Sequence, residues 1–155
     1  MTELVMMSLK RLLEVNLADL KLEKAGKAEL VPFKIYQNAI PAKDTDDEIY
    51  PCLVIRWVSS EDDEDGAIET LDILICVYSG EGRTVCESWS NIVSGRIRRL
   101  LRDNEFLEDK YKRTGSVIAR NPLLDPDARH HTHHVSTVRC SWFYPFPSKP
   151  ILQED

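Results

Sequence analysis

Between Thr2 and about Leu20 the apolar residues Val5, Leu9, Leu12, Leu13, Leu17 and Leu20 recur at intervals of three and four, the spacing of one helical face. Thr2 is placed to act as the N-cap. Such an amphipathic helix needs an apolar surface to pack on. Lys24-Ala25-Gly26-Lys27 reads as its end and a loop. The period then shortens from 3.6 to two. Val31-Pro32-Phe33-Lys34-Ile35-Tyr36 predicts a short strand, and Pro32 favours a sheet edge. After a polar loop from Pro41 to Glu48, Cys52 to Val58 is apolar nearly throughout except for Arg56, which predicts a central strand. A second strand from Ala67 to Tyr78 sets Leu71, Ile73, Ile75 and Val77 on one face and Thr70, Asp72, Leu74, Cys76 and Tyr78 on the other. The polar loop with Gly66 between them predicts a long antiparallel hairpin whose tip is acidic.

Ser79-Gly80-Glu81-Gly82 breaks the pattern, and from Val85 the residues Trp89, Ile92, Val93, Arg96, Ile97, Leu100 and Leu101 return to helical spacing. This helix ends near Arg102-Asp103-Asn104, with basic side chains where the dipole favours them. Val117-Ile118-Ala119, within Thr114 to Leu124, is a possible strand, followed by a turn at Asp125-Pro126-Asp127. A last strand from about Val135 to Tyr144 alternates Val138, Cys140, Trp142 and Tyr144 with Thr137, Arg139, Ser141 and Phe143, so one face is buried. Pro145, Pro147 and Pro150 stop it. The expected fold is α+β: a single mainly antiparallel (mixed) β-sheet with two helices packed on one face, plus a long protruding β-hairpin. Residues 1–147 form one domain in this reading, and 148–155 a flexible tail.

Composition narrows the class. The 155 residues are 43% hydrophobic and 30% charged, enough for one core. No apolar run approaches the roughly 20 residues of a membrane span. Met1-Thr2-Glu3-Leu4 lacks the basic start of a signal peptide, so a cytosolic protein is expected. The four cysteines, Cys52, Cys76, Cys86 and Cys140, contain no C-x-x-C pair and read as buried, reduced thiols. Net charge is −6, opposite to the surplus of a sequence-independent nucleic-acid binder. The acidity is clustered at Asp44, Asp46, Asp47 and Glu48 and at Glu61-Asp62-Asp63-Glu64-Asp65. Arg96, Arg98, Arg99 and Arg102 could form a basic patch, although in a helical pattern a solvated face explains them better.

Candidate chemistry is sparse. His130-His131-Thr132-His133-His134 holds every histidine in the chain, and imidazole is the commonest zinc ligand. In an extended segment His131 and His133 share one face, His130 and His134 the other. Two ligands per face are too few for a closed site, so His131 and His133 stand as weak metal candidates against an exposed loop. Glu61-x-Asp63-x-Asp65-Gly66 approaches a calcium-loop pattern, but with Glu in the first position, Asp in the last and strands at its flanks. It reads better as a hairpin tip or partner surface. Neither G-x-S-x-G, a P-loop nor G-x-G-x-x-G is present. A Cys140–His134 dyad is weakened by an alternation that turns Cys140 inward, where a thiol is inert. Trp57, Trp89 and Trp142 sit in apolar patterns and read as core.

Tyr50-Pro51 leading into Leu53-Val54-Ile55-Arg56, the acidic hairpin, Leu71 to Ile75 closing on Val77-Tyr78-Ser79, the helix from Asn91 to Leu101, and Val138-x-Cys140-x-Trp142 before a Pro-rich exit follow in order. This order resembles the tail-terminator (tail-completion) proteins of siphophages and prophages, over roughly residues 31 to 147. The histidine stretch and Cys52 are not part of that resemblance. The resemblance implies a non-enzymatic structural subunit with no cofactor and no catalytic residues. It implies a homo-oligomeric ring, hexameric in better-known relatives, that caps the tail tube protein, ends polymerisation and meets a head–tail connector protein. DNA would pass the lumen without specific binding. The protein would assemble in the host cytoplasm and reside in the virion tail. Alternatives are another head–tail connector or virion component of similar fold, and a small metal-dependent hydrolase using His130 to His134.

Overall fold

The computed structural model describes residues 2–24, 29–39, 51–121 and 133–147. In chain order these form α1 (Thr2–Asn16), β1 (Lys21–Glu23), β2 (Leu30–Pro32), β3 (Lys34–Gln37), β4 (Cys52–Asp62) and β5 (Gly66–Tyr78). α2 (Arg83–Asp103), β6 (Phe106–Leu107), β7 (Tyr111–Arg120) and β8 (His133–Pro145) follow. Six strands make one mixed sheet in the order β3-β4-β5-β8-β7-β6, and β1 with β2 makes a separate antiparallel ribbon. Within the sheet β3 and β4 run parallel, and the remaining neighbours run antiparallel. The α+β class read from the sequence holds.

The register explains the core. Leu53 lies opposite Ile75, Ile55 opposite Ile73, and Leu71 and Ile73 opposite Cys140 and Val138. These side chains share one cluster with Val5, Leu9 and Leu13 of α1 and Val93, Ile97 and Leu101 of α2. Both helices therefore cover the same face. Each fully buried Leu or Ile there contributes on the order of 1.5–3 kcal/mol over its exposed state. The other face carries only a small patch of Cys52, Val54 and Cys76. Beside that patch the Arg139 guanidinium grips Asp72 with two hydrogen bonds of 2.8 and 3.1 Å across β5 and β8.

Several boundaries differ from the periodic reading for identifiable reasons. α1 stops at Asn16, whose side-chain amide donates to the Leu12 carbonyl at 2.8 Å. Leu17 and Leu20 continue the apolar pattern because the turn after the helix also faces the core. The single strand expected from Val31 to Tyr36 is two, divided at Phe33. Pro32 ends one ladder, and β3 turns to pair with β4. β1 and β6 are too short to show a period. β7 is far longer than Val117-Ile118-Ala119. The expected loop from Pro41 to Glu48, the turn at Asp125-Pro126-Asp127 and the tail 148–155 lie outside the described residues, as do 25–28 of the first loop.

The hairpin of β4 and β5 sits within the sheet. β5 pairs with β8 along its whole length, from Gly66 opposite Pro145 to Tyr78 opposite His133. Its open side belongs to β4. There β3 pairs only with Cys52 to Ile55, and Arg56 to Asp62 have no strand beyond them among the described residues. Trp57 pairs with Leu71 just ahead of a register shift and is 52% exposed. Trp57 thus departs from the core role its pattern suggests, whereas Trp142 is fully buried and Trp89 packs against the core. No helix of the described residues is long and apolar enough to cross a membrane.

Candidate functional site

The acidic run is an ordered turn. Glu61 and Asp62 end β4, and Asp63, Glu64 and Asp65 form the tip before Gly66. The Asp63 carboxylate accepts the backbone N–H groups of Asp65 (2.7 Å) and Gly66 (3.0 Å), a side-chain mimic of a turn. The Asp63 N–H donates to the Gly66 carbonyl at 2.9 Å, and the Phe146 N–H to the Asp65 carbonyl at 2.9 Å. All five acidic side chains are exposed. The strands on either side and the use of Asp63 Oδ1 by the turn set this loop apart from the calcium-loop geometry. It displays five carboxylates in a fixed shape at one end of the sheet.

Beneath the tip lies a feature that periodicity could not reveal. Glu69 is 2% exposed, on the helix-covered face. Its carboxylate accepts hydrogen bonds from the hydroxyls of Thr2 (3.1 Å), Ser60 and Tyr144 (3.5 Å). The Ser60 hydroxyl in turn accepts the Trp57 indole N–H at 2.9 Å. Buried carboxylates need such partners. Placement at the first turn of α1 adds the favourable end of the helix dipole. Thr2, proposed as the helix cap, is the first residue of α1, and its hydroxyl goes to Glu69. This network ties α1 and β5 to the outer half of β4 and so fixes where the acidic edge stands.

The opposite side of the sheet is basic. Arg98, Arg99 and Arg102 of α2 line one groove of about 400 Å³ together with Arg113, Gly115 and Ser116 of β7. Arg98 and Arg120 line its continuation toward Ser136. Arg102 has only the exposed Asp103 at 3.8 Å, and Arg113 donates through Nε to the Leu101 carbonyl at 3.0 Å. Among the described residues, Arg98, Arg99 and Arg120 have no acidic group within 4.0 Å. Arg96 leaves the patch: it pairs with Asp19 at 2.6 Å, holds that carboxyl below its ordinary range, and donates to the Asn16 carbonyl. The arginines of the helix were visible in sequence. Their union with Arg113 was not, because it requires β7 to lie beside α2.

The histidine stretch is only partly described. His130 to Thr132 lie outside the described residues, and His133 opens β8 opposite Tyr78. His134 is buried on the helix-covered face opposite Val77. Among the described residues no group of three histidine, cysteine, aspartate or glutamate side chains is arranged to hold a metal ion. The four cysteines are buried thiols. Burial pushes the Cys140 thiol up to about 12. A hydrogen bond with Cys76, its cross-strand neighbour, followed by burial, raises Cys52. A thiol so protonated is a poor nucleophile, which weakens the Cys140–His134 dyad further.

No protein-family model matches the chain, and no curated protein matches it. The geometry alone therefore carries the functional reading: an acidic sheet edge on one side, an arginine-lined edge on the other, and one helix-covered face between them.

Proposed function

We propose that the chain is the tail-terminator subunit of a long-tailed phage, a structural protein that caps the tail tube, ends its polymerisation and joins it to the head. The observation that carries this reading is the continuity of the segment bearing the resemblance. Pro51, the strand β4, the acidic turn, β5 closing on Tyr78-Ser79 and the helix α2 are consecutive in the chain, with β4 and β5 paired in the sheet and α2 packed across β5, β8 and β7. An α+β subunit with both helices on one face is also the fold that the resemblance implies. The subunit would act as a ring, hexameric as in better-known relatives, between tail tube protein and head–tail connector protein. Ring closure needs two different faces of one chain, and this chain has two edges of opposite charge.

The test is tube growth. Tail tube protein is polymerised with and without this chain, and lengths are measured by negative-stain electron microscopy. Capped tubes with a terminal ring, and arrested growth at substoichiometric amounts, are expected. A variant with Glu61, Asp62, Glu64 and Asp65 changed to the amides should cap less well while keeping its fold. Tubes that grow equally long with and without the chain refute the proposal.

A further inference from the structure

Among the described residues, each side of the sheet ends in a strand half that lacks a neighbour. On one side the seven residues Arg56 to Asp62 of β4 extend past β3. On the other, β6 pairs only with Tyr111 and Lys112 of β7, leaving the seven residues Thr114 to Arg120 open. Each open stretch spans about 23 Å at roughly 3.3 Å per residue. Open edges are templates for further pairing unless something covers them. Their charges are opposite. The β4 edge and its turn carry Glu61, Asp62, Asp63, Glu64 and Asp65, with the exposed Trp57 beside them. The β7 edge fronts the groove of Arg98, Arg99, Arg102 and Arg113. The two edges stand three strands apart in one molecule, about 14 Å, and face in opposite directions, so one copy cannot join them.

We infer that the arginine-lined groove between α2 and β7 is the receiving surface for the acidic β4 edge and hairpin turn of a second copy of this chain. The inference rests on the ring reading above and specifies its contact. The carboxylates of the turn meet the four guanidinium groups of Arg98, Arg99, Arg102 and Arg113, the fork geometry of arginine suits paired carboxylate oxygens, and the indole of Trp57 offers a face to an arginine plane. Acceptor and donor edges differ, so the contact is head-to-tail and propagates until it closes. The groove occurs in a chain of net charge −6 whose own acidic edge would repel a polyanion. A second copy therefore fits the groove better than a nucleic-acid strand does.

Charge exchange tests the pairing. One variant carries Arg98→Glu and Arg99→Glu, and another carries Glu61→Lys and Glu64→Lys; Asp63 is kept because it forms the turn. All four positions are exposed, and circular dichroism checks the fold. Masses are measured by light scattering and native mass spectrometry across protein concentration at 0.15 M and 1 M salt. The wild type is expected to form a discrete species larger than the monomer that weakens in salt. Each variant alone should associate on the order of a hundredfold more weakly, and an equimolar mixture should recover the wild-type mass, because each then meets its complement. Variants that keep the wild-type mass, or a mixture that does not recover it, overturn the pairing while leaving the ring reading intact. A wild type monomeric at every concentration overturns both. Binding of a 30-nucleotide DNA to the wild type that is lost with Arg98→Glu/Arg99→Glu, at unchanged mass, reassigns the groove to nucleic acid and overturns the inference.

Discussion

Gly66 is where the hairpin turn meets β8, and changing it to alanine tests whether the turn is built against that strand. A Cβ at Gly66 would lie 2.2 Å from the Tyr144 carbonyl oxygen and 2.7 Å from the Phe143 ring. The first obstacle is backbone in a paired strand, so relief requires β5 and β8 to part locally. Overpacking costs typically 1–3 kcal/mol. A contact this short against backbone belongs near the top, at about 3 kcal/mol. For a domain of this size each kcal/mol lowers Tm by about 2–4 °C, giving a fall of about 6–12 °C. Gly95 is the internal control: it lies in α2, and a Cβ there meets nothing within 4 Å. Gly95→Ala should stabilise the protein by about 0.5–1 kcal/mol, because glycine in a helix interior costs that much relative to alanine. Differential scanning calorimetry reads both variants. Hydrogen exchange should show faster loss at the Phe146 amide, which bonds to Asp65, in Gly66→Ala alone. A Gly66→Ala protein as stable as the wild type would refute the packing of the turn on β8.

Other consequences follow from the same structure. Glu69→Ala removes the acceptor of three hydroxyls in a buried site and should destabilise by about 2–4 kcal/mol, read by urea denaturation; an effect below 0.5 kcal/mol on this scale would contradict the network. The guanidinium of Arg11, then the hydroxyl of Ser8, hold the Glu108 carboxyl below its ordinary value. Because that folded value is depressed, its stabilisation is present above the unfolded value near pH 4.3 and is lost as pH falls through the folded value. Glu108→Gln should accordingly flatten the acid limb of Tm against pH, and an unchanged limb would remove Glu108 from the account. The four buried thiols, with Cys140 held at about 12, should resist a thiol-specific reagent at pH 8 until denaturant is added; rapid labelling of the native protein would show that the core opens.

Local pattern was sufficient for whatever repeats within one element. The alternation Val138, Cys140, Trp142, Tyr144 marks the buried face of β8, and the three-and-four spacing from Trp89 to Leu101 marks the inward side of α2. Both follow because side-chain direction is set by backbone period alone. The acidic turn was legible too, since Gly66 and a run of five carboxylates between two strand patterns have few other uses. What depended on non-neighbouring segments was not legible. The order β5-β8-β7 places strands from distant parts of the chain side by side. It brings Arg113 to the arginines of α2 and Thr2 to Glu69, pairs more than 10 positions apart whose proximity no window of sequence contains. The approach of Ser60 to Glu69 depends on a register shift between Trp57 and Ser59 in one ladder, which changes the facing of every residue beyond it. Periodicity thus determined which side of each element is buried, and pairing across the sheet decided which charged side chains share an edge.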